Sequence, residues 1–215
     1  MDVHSLDRYP QLALDSMLAS IAFYRQVKAS DERQYKMLMR YSRMVEYRVG
    51  EVVIEAGQSD AWLFFLLKGR LAVYAGAQFL QIRRVGQISA GEVFGDLAVL
   101  RSHKRAATVI VDTSCRRALV FCTDFSVFGT LHDFSLISLP TKLIFYRTMV
   151  HGLRWKLELY RTQFPQHAQS LGHHKVKLFA GDGDSIAELD SLNDQAQQLA
   201  ALLLSWNQEV TGAQA

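Results

Sequence analysis

Gly91-Glu92-Val93-Phe94-Gly95-Asp96-Leu97-Ala98-Val99-Leu100, followed closely by Arg105-Ala106-Ala107-Thr108-Val109, is the stretch that decides how this chain is read. It sets a glycine turn, a carboxylate and small residues just ahead of one arginine flanked by alanines. Glycine allows close backbone approach where a Cβ would block it. The free N–H groups of a first helical turn attract an anion. Arginine offers a planar, permanently charged fork to phosphate oxygens, and a carboxylate accepts from a ribose hydroxyl. The set describes a pocket for a phosphate sugar, and no group in it is suited to cutting a bond.

Outward from this stretch, glycines fall at 50, 57, 69, 76, 86, 91 and 95. Short runs of strand formers lie between and beyond them: Glu51-Val52-Val53-Ile54, Trp62 to Leu67, Leu71-Ala72-Val73-Tyr74, Ala107 to Val111 and Arg117 to Phe121. Short strands with glycine turns at near-regular spacing predict a β-sandwich or rolled barrel over about 47–128. Residues 1–46 read as helical, with Leu12, Leu14, Met17, Leu18 and Ile21 in one segment and Tyr35, Leu38, Met39 and Ser42 in another. Ser30-Asp31-Glu32-Arg33 supplies a cap for the second.

After the β region, Pro140 suits a first helical turn and Pro165 an end. Between them Leu143, Tyr146, Val150, Leu153, Leu157, Tyr160 and Phe164 recur at three and four, which predicts a coiled-coil seam for a dimer. Gly152 interrupts it. The next segment holds an expected strand, Val176-Lys177-Leu178-Phe179, and a capping box, Ser185-Ile186-Ala187-Glu188. Leu189, Leu192, Ala196, Leu199, Leu203, Trp206 and Val210 then form a second stripe that must be buried against something.

Bulk properties exclude several classes. The chain has 215 residues, 49% of them apolar, enough for a sizeable core. The net charge of +3 argues for no nucleic-acid partner by itself. Residues 182–215 carry six acids and no Lys or Arg, so the first 181 residues carry 24 bases against 15 acids, a balance of +9. Two cysteines, Cys115 and Cys122, have neither metal spacing nor a disulfide framework, which fits a reducing, cytoplasmic setting. The N-terminus does not read as a signal peptide, and no apolar run reaches the length of a membrane span.

With these residues in view, about 20–165 resembles the cyclic-nucleotide-binding domain of catabolite activator proteins and of the regulatory subunits of cyclic-AMP-dependent protein kinase. Three stretches carry the resemblance: Tyr47-Arg48-Val49-Gly50-Glu51, the run Leu63 to Tyr74, and Phe94-Gly95-Asp96-Leu97-Ala98 with Arg105-Ala106-Ala107-Thr108-Val109. It implies an α+β fold, mainly β: a double-stranded β-helix (jelly-roll-like β-roll) with flanking helices and a long C-terminal dimerisation helix. The expected organisation is a helical segment 1–46, a β-roll plus dimerisation helix 47–165, and an acidic amphipathic extension 166–215.

The resemblance also implies roles. Arg105 pairs with the cyclic phosphate, and the amides of Leu97 and Ala98 donate to it. Gly95 lies against the ribose and Asp96 takes its 2′-hydroxyl. Ala106 and Ala107 stand where cyclic-GMP binders often carry a hydroxyl residue, so cyclic AMP is the expected ligand, with cyclic GMP less favoured. Two departures weaken binding: Asp96 replaces the usual, longer Glu, and Lys104 replaces a proline. No helix-turn-helix is legible in the 50 residues after Pro165. The expected function is non-catalytic cyclic-nucleotide sensing through an effector protein, as a homodimer through 140–164, without DNA or membrane. The alternative is a degenerate domain that binds no small ligand and serves as a dimeric scaffold.

Other readings are weaker. A cupin-type metalloenzyme needs several histidines in the roll, and 47–128 holds His103 alone, so no metal is expected. The basic cluster Arg101, His103, Lys104, Arg105, Arg116 and Arg117 reads as the electropositive mouth of an anion pocket before a nucleic-acid surface. His173 and His174 are neighbours, which in an extended chain point to opposite sides, and His132 and His151 read as surface residues.

Overall fold

The computed structural model describes residues 1–4, 6–75, 83–101, 104–167 and 171–212. Gly76 and His103 lie outside them. The chain divides into two compact units, Met1–Val127 and Phe128–Ala215. The long helix falls in the second of these.

The first unit is an antiparallel β-roll of two sheets. Its strands are β1 (Asp2–His4), β2 (Ser42–Arg48), β3 (Val52–Ile54), β4 (Trp62–Lys68), β5 (Arg70–Ala75), β6 (Arg83–Ser89), β7 (Val93–Phe94), β8 (Thr108–Val111) and β9 (Arg117–Asp124). One sheet has the order β1-β2-β9-β4-β7 and the other β3-β8-β5-β6. Inward residues of both sheets, among them Val45, Phe64, Leu66, Leu71, Val109, Val111 and Val120, form one core. The unbroken apolar run of β4 reflects burial on both faces. Phe64 and Leu66 enter that core, while Phe65 lies against the N-terminal helices, its ring 6.3 Å from Phe23 and 5.3 Å from Tyr24.

Those helices are α1 (Gln11–Leu18), α2 (Ala22–Ser30) and α3 (Glu32–Arg40). Asp31 caps α3, accepting from the amides of Arg33 and Gln34 at 2.8 and 3.1 Å. The expectation of helix throughout 1–46 is corrected at both ends. Residues Asp2–His4 pair with Met44–Glu46, and Ser42 opens β2 opposite Thr123. The Ser42 hydroxyl donates to the Leu38 carbonyl at 2.7 Å, just past the last turn of α3. From there the β9 edge supplies backbone partners that a further helical turn would leave unused.

The second unit pairs α5 (Leu139–Gln163) with α6 (Ile186–Gly212); α4 is the short helix Asp96–Arg101 of the roll. Pro140 sits in the first turn of α5 as expected. Contacts advance together along both helices, Arg147 to Glu188, Arg154 to Gln195 and Tyr160 to Asn207, so they run parallel. The connection 164–185 therefore returns along much of the length of α5, about 37 Å for 25 residues. It contains a 3-10 turn, Gly172–Lys175. The strand expected at Val176–Phe179 is absent among the described residues: 176 is a bend and 177–180 carry no regular element.

Leu143, Val150, Leu153 and Leu157 of α5 are buried, as are Leu189, Leu192, Ala196, Leu199, Leu203 and Trp206 of α6. Four of the seven positions of the stripe read as a dimer seam are thus covered within the chain, whereas Phe164 is 40% exposed. Three–four periodicity states that a helix face needs a cover, not which chain supplies it. Ser185 caps α6, its hydroxyl accepting from the Glu188 amide at 3.1 Å. The Glu188 carboxylate reaches back one residue further than the capping-box pattern, to the amide of Asp184 at 2.7 Å. No helix among the described residues is long and apolar enough to cross a membrane.

Candidate functional site

Strand β7 delivers the site. Phe94 pairs with Phe64 of β4, and their rings stack at 5.2 Å. The chain then turns at Gly95 with φ +78°. A Cβ there would stand 2.6 Å from Arg105 Nη1 and 2.9 Å from the Phe64 ring, so the position excludes a side chain on both conformation and space. Asp96 opens α4 directly after this turn.

Arg105 lies on the segment returning from α4. Its backbone is fixed against the loop after β3: its amide donates to the Gln58 carbonyl and its carbonyl accepts from Gly57, each at 2.8 Å. Its side chain, 2% exposed, runs inward beside Phe64, with the guanidinium carbon 5.2 Å from the ring centroid. Nη1 donates to the Gly95 carbonyl at 2.7 Å and Nη2 to the Trp62 carbonyl at 2.5 Å. Nε donates to one oxygen of Asp60 at 3.2 Å, and Nη2 makes a short hydrogen bond to the other. A guanidinium has five N–H groups. Among the described residues these bonds use four and leave one, on Nη1.

Asp60 is the residue that sequence reading missed. Its carboxylate also accepts from the Trp62 amide at 2.9 Å. Partial burial raises its pKa, but the Arg105 hydrogen bonds, the Trp62 amide and the guanidinium charge outweigh this and hold it below the usual carboxylate range. The only local signal was an acid in the loop between two strands, which serves equally as a turn former.

The other expected residues assemble as follows. Asp96 is 3% exposed, and its carboxylate accepts from the amide of Leu97 at 3.2 Å, the amide assigned to the phosphate by resemblance. An acid at the first helical position suits the helix dipole without any ligand. Ala98 is buried, Ala107 half-buried and Ala106 exposed. The structure thus brings Gly95 and Arg105 into direct contact, with Asp96 the residue after Gly95. Among the described residues, no group of three His, Cys, Asp or Glu within the roll could hold a metal.

Residues 44–126 match the family model described as "Cyclic nucleotide-binding domain". No curated protein matches the sequence. Among solved structures, the regulatory domain of Toxoplasma gondii PKA with cAMP is 19% identical, with 62% of this chain and 48% of that chain covered and a TM-score of 0.48. A cAMP-binding acyltransferase from Mycobacterium smegmatis, a mutant form, is 20% identical over 64% of this chain and 41% of that one, at a TM-score of 0.45. A regulatory subunit of a cAMP-independent protein kinase A from Trypanosoma cruzi, bound to guanosine, is 20% identical over 51% and 37%, at 0.43. The match spans about half the length of the first of these chains, or less. On the family match, residues 44–126, with their two-sheet roll and a glycine turn held by Arg105, belong to the cyclic nucleotide-binding domain family.

Proposed function

We propose that this is a non-catalytic regulatory protein that binds a cyclic nucleotide, with cyclic AMP preferred over cyclic GMP, and acts through protein partners. The carrying observation is the buried Arg105 held against the Gly95 turn inside the segment that matches the family. In this reading the phosphate takes the remaining Nη1 N–H of Arg105 and competes with Asp60 for the fork. Gly95 lies against the ribose, Asp96 accepts from its 2′-hydroxyl, and the amides of Leu97 and Ala98 donate to the phosphate. Ala106 and Ala107 offer no hydroxyl after the arginine, which supports cyclic AMP. Exchange of Asp60 for phosphate would loosen the loop that holds it, and the ligand shifts that equilibrium only as far as it binds one arrangement better. Free Cys115 and Cys122 support a cytoplasmic setting.

The second reading, a scaffold that has lost its ligand, is favoured by one observation. Four of the five Arg105 N–H groups are already taken by Asp60, Gly95 and Trp62, and its side chain is nearly inaccessible. Isothermal titration with cyclic AMP and cyclic GMP separates the two. Micromolar or tighter binding of cyclic AMP, weakened at least tenfold in Arg105→Lys, supports the sensor. The lysine keeps the charge and loses the fork. Flat heats on folded wild type leave the scaffold. A homodimer through 140–164 would use the outer face of α5, where Trp155 is 56% and Leu159 41% exposed. Sedimentation of Trp155→Glu as a monomer beside a dimeric wild type is the expected outcome.

A further inference from the structure

We propose that Glu158, His173 and His174 form a site for a divalent first-row transition ion of the zinc type, in the second unit and independent of any nucleotide site. Glu158 comes from α5 and the two histidines from the 3-10 turn Gly172–Lys175. His173 Nε2 lies 3.0 Å and His174 Nε2 3.7 Å from the same carboxylate oxygen, Glu158 Oε2. All three ligand atoms fall within 4.8 Å of one another. A tetrahedral ion with bonds of about 2.1 Å holds its ligands about 3.4 Å apart, so the two distances straddle the spacing such an ion requires. The chain departs here from the extended expectation for adjacent histidines. Successive residues of a 3-10 turn are about 120° apart, not opposed, and the two rings meet edge to face at 4.2 Å between centroids.

The site is built before any ion arrives. The other oxygen of Glu158, Oε1, accepts from Arg161 Nε at 2.9 Å, which fixes the carboxylate and leaves Oε2 turned to the histidines. Arg154 ties the turn to both helices, donating to the carbonyls of His173 and Val176 at 3.0 and 3.1 Å and to Gln195 at 3.2 Å. Such outer contacts orient the ligands of metal sites. The His173 side chain is 5% exposed, and its Nδ1 is buried with no hydrogen-bond partner among the described residues. Without an ion the Glu158 carboxylate, which can only accept, holds the proton on Nε2, and no partner on Nδ1 opposes its transfer there when an ion takes the Nε2 position. The neutral ring can carry it on Nδ1 and turn the Nε2 lone pair to an ion. The His174 side chain is 58% exposed, so the ion has an entry path and water can fill the fourth position. Two imidazoles and one carboxylate suit zinc and its neighbours, not magnesium or calcium.

The test uses the full chain. Zinc is titrated in competition with a chromophoric chelator, and cobalt(II) is followed by its visible absorption, which is strong only in a tetrahedral site. Expected are one ion per chain, a tetrahedral cobalt spectrum, and affinity lowered at least tenfold in His174→Ala and in Glu158→Gln. His132→Ala, on the separate His132–Asp190 pair, leaves binding unchanged. Because His174 is exposed, its replacement keeps the apo fold, and the melting curve of the apo variant checks this. Wild type that binds zinc no more tightly than His174→Ala overturns the proposal. Loss of binding in His132→Ala, or an octahedral cobalt spectrum, does the same.

Discussion

Gly95 shows how much one residue carries. Its positive φ costs a non-glycine residue about 1–2 kcal/mol, before its Cβ meets Arg105 and Phe64. Gly95→Ala is therefore expected to lose about 2 kcal/mol or more in denaturant unfolding. It should also push the guanidinium off the Gly95 carbonyl. Asp60 gives a residue-scale prediction in pH. Its folded pKa is lowered, so its stabilising effect is complete above the unfolded carboxylate range and is lost as pH falls through the folded value. Asp60→Asn should flatten the acid limb of the stability curve, and an unchanged acid limb would count against the ion pair. Asp60→Ala leaves a buried guanidinium without its carboxylate and should cost about 3 kcal/mol.

Helix ends and helix faces set the element scale. At the start of α6 one carboxylate ties the helix start to α5. Glu188 accepts from Arg147 of α5 at 2.8 and 2.6 Å and from the Asp184 amide. Its pKa is lowered, chiefly by the Arg147 hydrogen bonds, so this contact too weakens as pH falls through the folded value. Ser185→Ala removes the hydroxyl that caps the Glu188 amide and should lower stability by about 1 kcal/mol in a denaturant titration. Glu188→Gln keeps its size and loses the charge on Arg147, and should cost more than Ser185→Ala. Equal costs would show that the ion pair adds nothing to the cap.

For the whole molecule, the two cysteines report on the core of the roll. Cys122 is fully buried between β2 and β4 on strand β9. Burial pushes its thiol up to about 12. Cys115 is half-buried in the loop before β9. A disulfide reagent at neutral pH should label Cys115 in the native protein and Cys122 only at the rate of unfolding. Rapid labelling of both would mean that the roll opens far below its global stability.

The sequence by itself determined a sandwich or rolled barrel of short strands with glycine corners, which the family resemblance narrowed to a β-roll, while the contact of the Gly95 carbonyl with Arg105 came from the fold. Alternation, glycine spacing and caps such as Asp31 and Ser185 are local signals, and local sterics and hydrogen bonding enforce them wherever the chain goes. Asp60, the cover over the α5 stripe and the convergence of Glu158 with His173 and His174 were decided only by tertiary structure. Asp60 reads as an ordinary turn acid until Arg105, 45 residues on, is folded against it. The α5 stripe demands burial, but only the parallel return of α6 names the partner. A side chain's type is written in the chain, whereas its partner across the fold depends on long-range packing that no single stretch encodes.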